Sequence, residues 1–200
     1  MPEEFGFGKF ADNEFYQQVN QGLVDSLDLT PGQRIVDLAC GTGLLTRLII
    51  EKLRDAKNTV VIGIDQSSGA LRRAKEELGN AQGVVVQFIQ SQIEQMSANL
   101  RESVDTVILG NGIHMIESKQ QLADEVFKIL RPGGTFAFNT TFFDGGIPAE
   151  SEQYYRRWMS KALRALKSTH GLMPDRSKVA SRQHLSPQEY RGLLQEAGFQ

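Results

Sequence analysis

The stretch Val36-Asp37-Leu38-Ala39-Cys40-Gly41-Thr42-Gly43 sets two glycines one residue apart, shortly after an aspartate. A glycine-rich turn between a strand and a helix lets backbone approach a ligand at the C-terminal edge of a parallel sheet. Position 46 holds threonine where a dinucleotide fingerprint has its third glycine, and no lysine follows Gly43 as a phosphate-binding P-loop requires. Asp37 would repel a pyrophosphate, yet it could accept hydrogen bonds from a cationic ligand. Its other reading is a brace for the loop backbone. Asp65 lies 24 residues beyond Gly41, at the end of the next apolar run. A carboxylate at that depth can take both hydroxyls of a ribose; alternatively it caps the helix that starts near residue 67. Together the two acids describe an adenosine ligand with a positively charged tail and no phosphate, a description that S-adenosylmethionine fits.

The elements that position these residues read as a strand–helix alternation. Apolar runs at 35–38, 60–64, 84–89 and 104–109 predict four strands, and Thr135 to Thr141 predicts a fifth after the turn Pro132-Gly133-Gly134. Leu44, Leu45, Leu48, Ile49 and Leu53 recur at helical spacing. Ser67-Ser68 can cap a helix reaching Leu78, and Leu122, Val126, Ile129 and Leu130 form the stripe of another over 118–130. Ser186, Pro187 and Glu189 mark the start of a last helix that runs to about Ala197. Strands without strict polar alternation, joined by helix-length connections, imply a parallel sheet covered on both faces. The fold class is therefore α/β, Rossmann-like, with a single domain over 1–200. Residues 1–28 read as an N-terminal helical cap, 30–142 as the cofactor-binding core, and 144–186 as a lid or acceptor-binding insertion. Glu196-Ala197-Gly198-Phe199-Gln200 reads as a helix stop and the entry to a further strand. Since a bare apolar edge invites aggregation, the expectation is a fragment that lacks its C-terminal strands.

Composition narrows the class. The chain has 200 residues, 40% hydrophobic and 23% charged, with a net charge of −2. That suits one globular core and gives no footprint for a general nucleic-acid binder. A single cysteine excludes an internal disulfide and a multi-cysteine zinc site, and three scattered histidines make no metal motif. No apolar run approaches a membrane span and no signal-peptide pattern opens the chain, so the location expected is cytoplasmic. The charge is uneven. Residues 1–153 carry 13 basic and 21 acidic groups, net −8, whereas 154–182 carry eight basic groups and one acid, net +7.

At this point the sequence resembles a known family. Asp37-Leu38-Ala39-Cys40-Gly41-Thr42-Gly43, Gly63-Ile64-Asp65, Val104-Asp105-Thr106-Val107-Ile108-Leu109 and Leu130-Arg131-Pro132-Gly133-Gly134 look like successive motifs of class I S-adenosylmethionine-dependent methyltransferases. The subgroup resembled includes quinone-biosynthesis and small-metabolite enzymes, and the likeness spans about residues 30–142, resuming at 187–200. It implies that the glycine turn, with Asp37, Ala39, Gly41 and Gly43, passes under the methionyl part of the cofactor. It implies that Asp65 binds ribose and that Gln66 touches adenine. After strand three the family often shows Asp-Ala, where this chain has Gln92-Ile93-Glu94; Gln92 could still bond the adenine amino group while Ile93 packs on the ring. Ala39 replaces a common glycine, a change that a tight turn tolerates if its φ is negative. Asn111, after strand four, could turn an amide oxygen or backbone carbonyl toward the sulfonium, or serve only as a turn residue. Tyr16 resembles a tyrosine that contacts the cofactor carboxylate.

Methyl transfer needs alignment and exclusion of water more than acid–base groups. Where the acceptor must lose a proton, His114 and His184 are the candidate bases, since histidine titrates near neutrality; His114 reads equally as a structural histidine packed below the loop. Phe5, Phe7, Phe10, Phe15 and Tyr16 could close over the cofactor, with Phe142 and Phe143 on the same rim. Tyr154, Tyr155 and Trp158 could grip an acyl, isoprenoid or aromatic acceptor, or simply hold the lid to the sheet. A small-molecule acceptor, including an anionic one, is the favoured substrate. Two other readings stand beside it: a domain of a larger synthase with an acyl-carrier partner, and a noncatalytic S-adenosylmethionine-binding protein.

Overall fold

The structure is a computed structural model, and it describes residues 14–54, 56–141, 143–146, 148–172 and 184–200. Five strands form one parallel sheet: β1 Arg34–Leu38, β2 Thr59–Asp65, β3 Val84–Gln90, β4 Val104–Leu109 and β5 Leu130–Phe138. Their spatial order is β3-β2-β1-β4-β5. The helices are α1 Glu14–Asp25, α2 Leu44–Lys52, α3 Ser68–Leu78, the single turn α4 Met96–Asn99, α5 Lys119–Ile129, α6 Ala149–His170 and α7 Pro187–Glu196. The chain reverses direction in the sheet between β1 and β4, so a crevice opens beyond the C-terminal ends of those strands.

Strand alternation sorts the core into two halves. Ile35, Val61 and Ile108 join Val24 of α1 and Leu45 and Ile49 of α2 in one buried cluster. Their neighbours Val36, Ile62, Val107 and Leu109 join Leu122, Val126 and Ile129 of α5 and Tyr190 of α7 in the other. The period of two thus buries both faces of the sheet under helices, as the continuous apolar runs predict.

Local signals set the ends of the helices. Ser67 Oγ accepts from Ala70 N at the start of α3. Ser186 and Glu189 form a reciprocal capping box at the start of α7, with Pro187 in its first turn. The strand bounds at β4 match the apolar run residue for residue. At β5 they do not. The strand begins at Leu130, paired with Val104, and its register shifts before Thr135 pairs with Thr106. Pro132-Gly133-Gly134 is therefore a bulge inside the ladder rather than a turn before it, with Gly133 at φ 75°.

β5 is an edge strand among the described residues. Phe136 and Phe138 contact Phe199 and Tyr190, and a groove of about 680 Å³ runs between the end of β5 and α7. The excursion after β5 starts and ends at one place, where Asp144 N donates to Leu185 O at 3.1 Å. Between these points α6 extends for 22 residues with Tyr154, Tyr155 and Trp158 exposed, rather than turned onto the sheet. Phe5, Phe7, Phe10 and Phe142 lie outside the described residues. No described helix is long and apolar enough to cross a membrane, and no group of three metal-ligating side chains occurs among the described residues.

Candidate functional site

The glycine turn follows β1 directly. Three residues along it take left-handed backbone: Ala39 at φ 55°, Gly41 at 54° and Gly43 at 91°. Cys40 N donates to Ile64 O at 3.0 Å and Gly43 N to Cys40 O at 2.9 Å, so the turn folds back over the end of β2. A side chain at Gly43 would come within 2.7 Å of Leu78 Cδ1, so glycine lets α2 start hard against α3. At Gly41 a side chain would meet nothing within 4 Å. The outer face of the turn is open, as a cradle for a ligand must be.

The expectation of a negative φ at Ala39 is overturned. An L-residue there crowds its Cβ against the carbonyl, at about 1–2 kcal/mol. Ala39→Gly removes that strain, and the greater chain entropy of an unfolded glycine offsets part of the gain. The expected result is a protein more stable by up to about 1 kcal/mol in urea titration; a variant less stable than the parent would contradict the strain.

Asp65 ties the crevice together. Its Oδ2 accepts from Gly41 N at 2.8 Å and its Oδ1 from Ser67 N at 2.8 Å. The helix-capping reading holds, since the carboxylate steadies the start of α3, and the same side chain also reaches the glycine turn. Each oxygen keeps a lone pair, and the side chain is half-exposed. Gln66 and Gln92 are exposed beside it: Gln66 O accepts from Gln90 Nε2, and Gln92 O accepts from Ser91 Oγ. Ile93 is half-buried against the core. The remaining lone pairs of Asp65 can accept from ribose hydroxyls.

Asp37 sits elsewhere than a direct ligand contact would need. It is 1% exposed, and its Oδ2 accepts from Thr46 Oγ1 at 2.5 Å. Burial pushes its carboxyl up to about 7, against the opposing effect of Thr46. This bond joins the end of β1 to Thr46 in α2, the helix that follows the glycine turn. Burial likewise pushes the Cys40 thiol upward, so it stays protonated and inert.

The segment after β4 is held by a set of amides. Asn111, at φ 46°, accepts at Oδ1 from both Thr141 N and Thr141 Oγ1, each at 3.1 Å. Its amide oxygen is thus turned to β5's extension rather than toward a sulfonium, and the turn-residue reading holds for the side chain. Asn111 N donates to Asn139 Oδ1 at 2.6 Å. Asn139 Nδ2 in turn donates to Val19 O at 3.2 Å and Asn20 Oδ1 at 3.1 Å. Asn139 therefore pins α1 to the ends of β4 and β5, and it carries Tyr16, one turn before Asn20, to this edge. Tyr16 is half-buried and makes an edge contact with Phe15 at 5.3 Å. No pattern in the sequence singles out Asn139.

The two histidines are separated. His114 is 8% exposed, with Nδ1 3.2 Å from Thr140 Oγ1. It lies under the loop, close to the ends of β4 and β5. His184 is exposed, at the return of the excursion.

A parallel sheet with this strand order, a glycine turn after β1 and an acid closing β2 define a class I S-adenosylmethionine-dependent methyltransferase fold. Residues 29–198 match the family described as a methyltransferase domain, and the chain belongs to that family. Its cofactor is S-adenosylmethionine. The probable S-adenosylmethionine-dependent methyltransferase of Saccharomyces cerevisiae is 35% identical over 132 residues, 64% of this chain and 43% of that protein. The ubiquinone/menaquinone biosynthesis C-methyltransferase of Campylobacter jejuni is 29% identical over 185 residues, 88% of this chain and 74% of that one. The trans-aconitate 2-methyltransferase of an Azoarcus species is 30% identical over 134 residues, 64% of this chain and 46% of that one. The chain thus spans less than half the length of two of these three relatives. Among solved structures, the CurJ carbon methyltransferase superposes with a TM-score of 0.62 at 19% identity, over 94% of this chain and 49% of that one. That likeness carries the fold alone.

Proposed function

We propose that this chain transfers the methyl group of S-adenosylmethionine to a free small-molecule acceptor. The observation that carries the reading is Asp65, half-exposed with two free lone pairs while bonded to Gly41 N and Ser67 N. The cofactor supplies an electrophilic methyl carbon when bound. The chain's own residues do the rest. Asp65 holds the ribose, and the Gln66, Gln92 and Ile93 ledge orients the adenine. Ala39, Gly41 and Gly43 offer backbone to the methionyl part, with Asp37 and Thr46 fixing the turn from behind. Tyr16 closes the N-terminal side, and the backbone carbonyl of Asn111 borders the reacting centre.

The acceptor enters on the side of residues 144–186, which root at the end of β5. In this reading His114, hydrogen-bonded with Thr140 near the ends of β4 and β5, takes the proton of an acceptor that must lose one; His184 at the base of the excursion is the alternate base. The names of the relatives, a quinone-biosynthesis enzyme and a trans-aconitate enzyme, favour a free acceptor over an acyl-carrier partner. The site of action is the cytoplasm.

A screen with methyl-labelled cofactor against a cell extract, with mass analysis of the product, tests this reading. The expected result is label in one small molecule. Label confined to carrier protein would move the activity to the synthase class, and cofactor binding without label in any fraction would leave a noncatalytic binder. For the base, His114→Asn is expected to lower kcat about 100-fold or more while cofactor affinity holds; unchanged kcat across the pH range would remove His114 from proton transfer.

A further inference from the structure

The polarity of α6 is divided lengthwise. Tyr155, Trp158, Met159, Ala162, Leu163 and Leu166 fall at positions i, i+3, i+4, i+7, i+8 and i+11, so they line a single stripe. Most of the stripe is open: Tyr155 is 49%, Trp158 63%, Leu163 37% and Leu166 39% exposed, while Met159 and Ala162 between them are half-buried. From Tyr155 to Leu166 it runs about 17 Å at 1.5 Å per residue. Arg157, Lys161 and Arg164 occupy the opposite face, and Arg156 and Lys167 flank the stripe. No acid falls between Tyr154 and His170. Glu152, at the edge of the stripe, is already engaged by the Arg156 guanidinium.

We propose that α6 is a docking helix for an anionic lipid surface. Its apolar stripe enters the boundary between headgroups and acyl chains, the flanking Arg156 and Lys167 meet lipid phosphates, and Arg157, Lys161 and Arg164 on the water side add long-range attraction to the anionic surface. The proposal deepens the methyltransferase reading and rests on it for the nature of the acceptor: a molecule drawn from, or held at, a bilayer surface.

Several observations select this occupant. The helix is too charged to cross a membrane, while a basic polar face with a Trp- and Leu-bearing apolar face is the composition of a helix that lies in the interface. Long Arg and Lys stems at the flanks can reach up to headgroups while their methylenes stay in the apolar layer. A two-fold contact of α6 with its own copy would set five cations against five with no acid in the run to relieve them. The two ends of the excursion meet at Asp144 and Leu185, beside the end of β5. A helix docked there would hold the acceptor side of the crevice against the bilayer.

Trp158 is the only tryptophan in the chain, so its emission reports on α6 without a label. The full chain is titrated with vesicles of phosphatidylcholine alone and with vesicles containing phosphatidylglycerol, at low and high salt, with co-sedimentation in parallel. The expected result is a shift of Trp158 emission to shorter wavelength and co-sedimentation with the anionic vesicles only, both reversed by high salt. The variant Arg157→Glu with Arg164→Glu is expected to weaken partitioning at least about tenfold. Leu163→Asp with Leu166→Asp is expected to leave Trp158 in water at either salt. All four positions are exposed, and circular dichroism with cofactor calorimetry on the same preparations verifies the fold. Vesicle binding needs no cofactor. Its loss with cofactor binding intact overturns the lipid surface alone, whereas vesicle binding without cofactor binding overturns the methyltransferase reading alone. An emission shift that follows protein concentration without vesicles would make the occupant a second copy. A blue, salt-indifferent emission in the free protein would place the stripe against the chain's own body. Either result overturns the proposal, as does the absence of any shift with anionic vesicles.

Discussion

Asp65→Ala is expected to lower the affinity for S-adenosylmethionine at least about 100-fold, since two charge-assisted hydrogen bonds to ribose are lost, each at about 1.5–3 kcal/mol. The structure adds a second reason. The same carboxylate accepts from Gly41 N and Ser67 N, so its removal also loosens the glycine turn and the start of α3. Three further variants calibrate these contributions. Gln92→Ala and Gln66→Ala remove exposed side chains whose neutral contact is worth about 0.5–1.5 kcal/mol, and each is expected to cost about tenfold or less. Asp65→Asn keeps one acceptor oxygen but loses the charge, and is expected to fall between. Calorimetric titration reads all four. Equal dissociation constants for the parent and Asp65→Ala would remove Asp65 from the site.

The second large effect belongs to Asp37, and it is an effect on stability. Its carboxyl is raised by burial from 3.8 to about 7 in the folded chain. Between those limits the folded state holds a proton that the unfolded state has released. The contribution of Asp37 is therefore fully present below pH 4 and is lost as pH rises through about 7. A shift of about three units corresponds to about 4 kcal/mol at most. Asp37→Asn keeps an acceptor for Thr46 Oγ1 and carries no charge. It is expected to abolish that slope and to be more stable than the parent above pH 7 by a few kcal/mol. Urea midpoints from pH 5 to 8 test this, with Thr46→Val as a companion that removes the hydrogen bond. An unchanged slope in Asp37→Asn would assign the pH dependence to other groups. Since Asp37 fixes the turn from behind, the variant is also expected to bind cofactor with only modestly altered affinity. A large loss would mean that its negative charge acts on the cationic tail of the ligand.

The sheet was legible because burial on both faces writes a strand as an uninterrupted apolar run. Val104–Leu109 could be bounded by eye, and the split into two core clusters followed from its alternation. The helix caps at Ser67 and Ser186 were legible for a similar reason, since a short polar side chain before a periodic segment has few other uses. What stayed hidden depends on distant partners. Leu130 pairs with Val104 only because the chain bulges outward at Pro132-Gly133-Gly134, and composition there is the same for a bulge as for a turn. Asp37 looked like a ligand group, yet its depth depends on how α2 seats Thr46 against it. The amide of Asn111 is claimed by Thr141, and Asn139 gains its importance from α1, 119 residues away at Asn20. Ala39 carries a left-handed φ that no local residue pattern announces. Residue types thus marked the glycine turn and its two acids, while the fold decided which acid is buried and which stays half-exposed.

The contrast between Asp65 and Asp37 also supports the proposed ligand class. A half-exposed carboxylate beside an open glycine turn, with no cationic side chain directly after it, suits a nucleoside whose charge is positive. A phosphate-bearing dinucleotide would meet that acid with no lysine or third glycine to compensate.

The most direct measurement is calorimetric titration of the purified chain with S-adenosylmethionine, S-adenosylhomocysteine and NAD under one set of conditions. Saturable binding of both sulfur compounds to a single site, lost in Asp65→Ala, with no heat from NAD, is the predicted result. Tight binding of NAD with no binding of either sulfur compound would contradict the account.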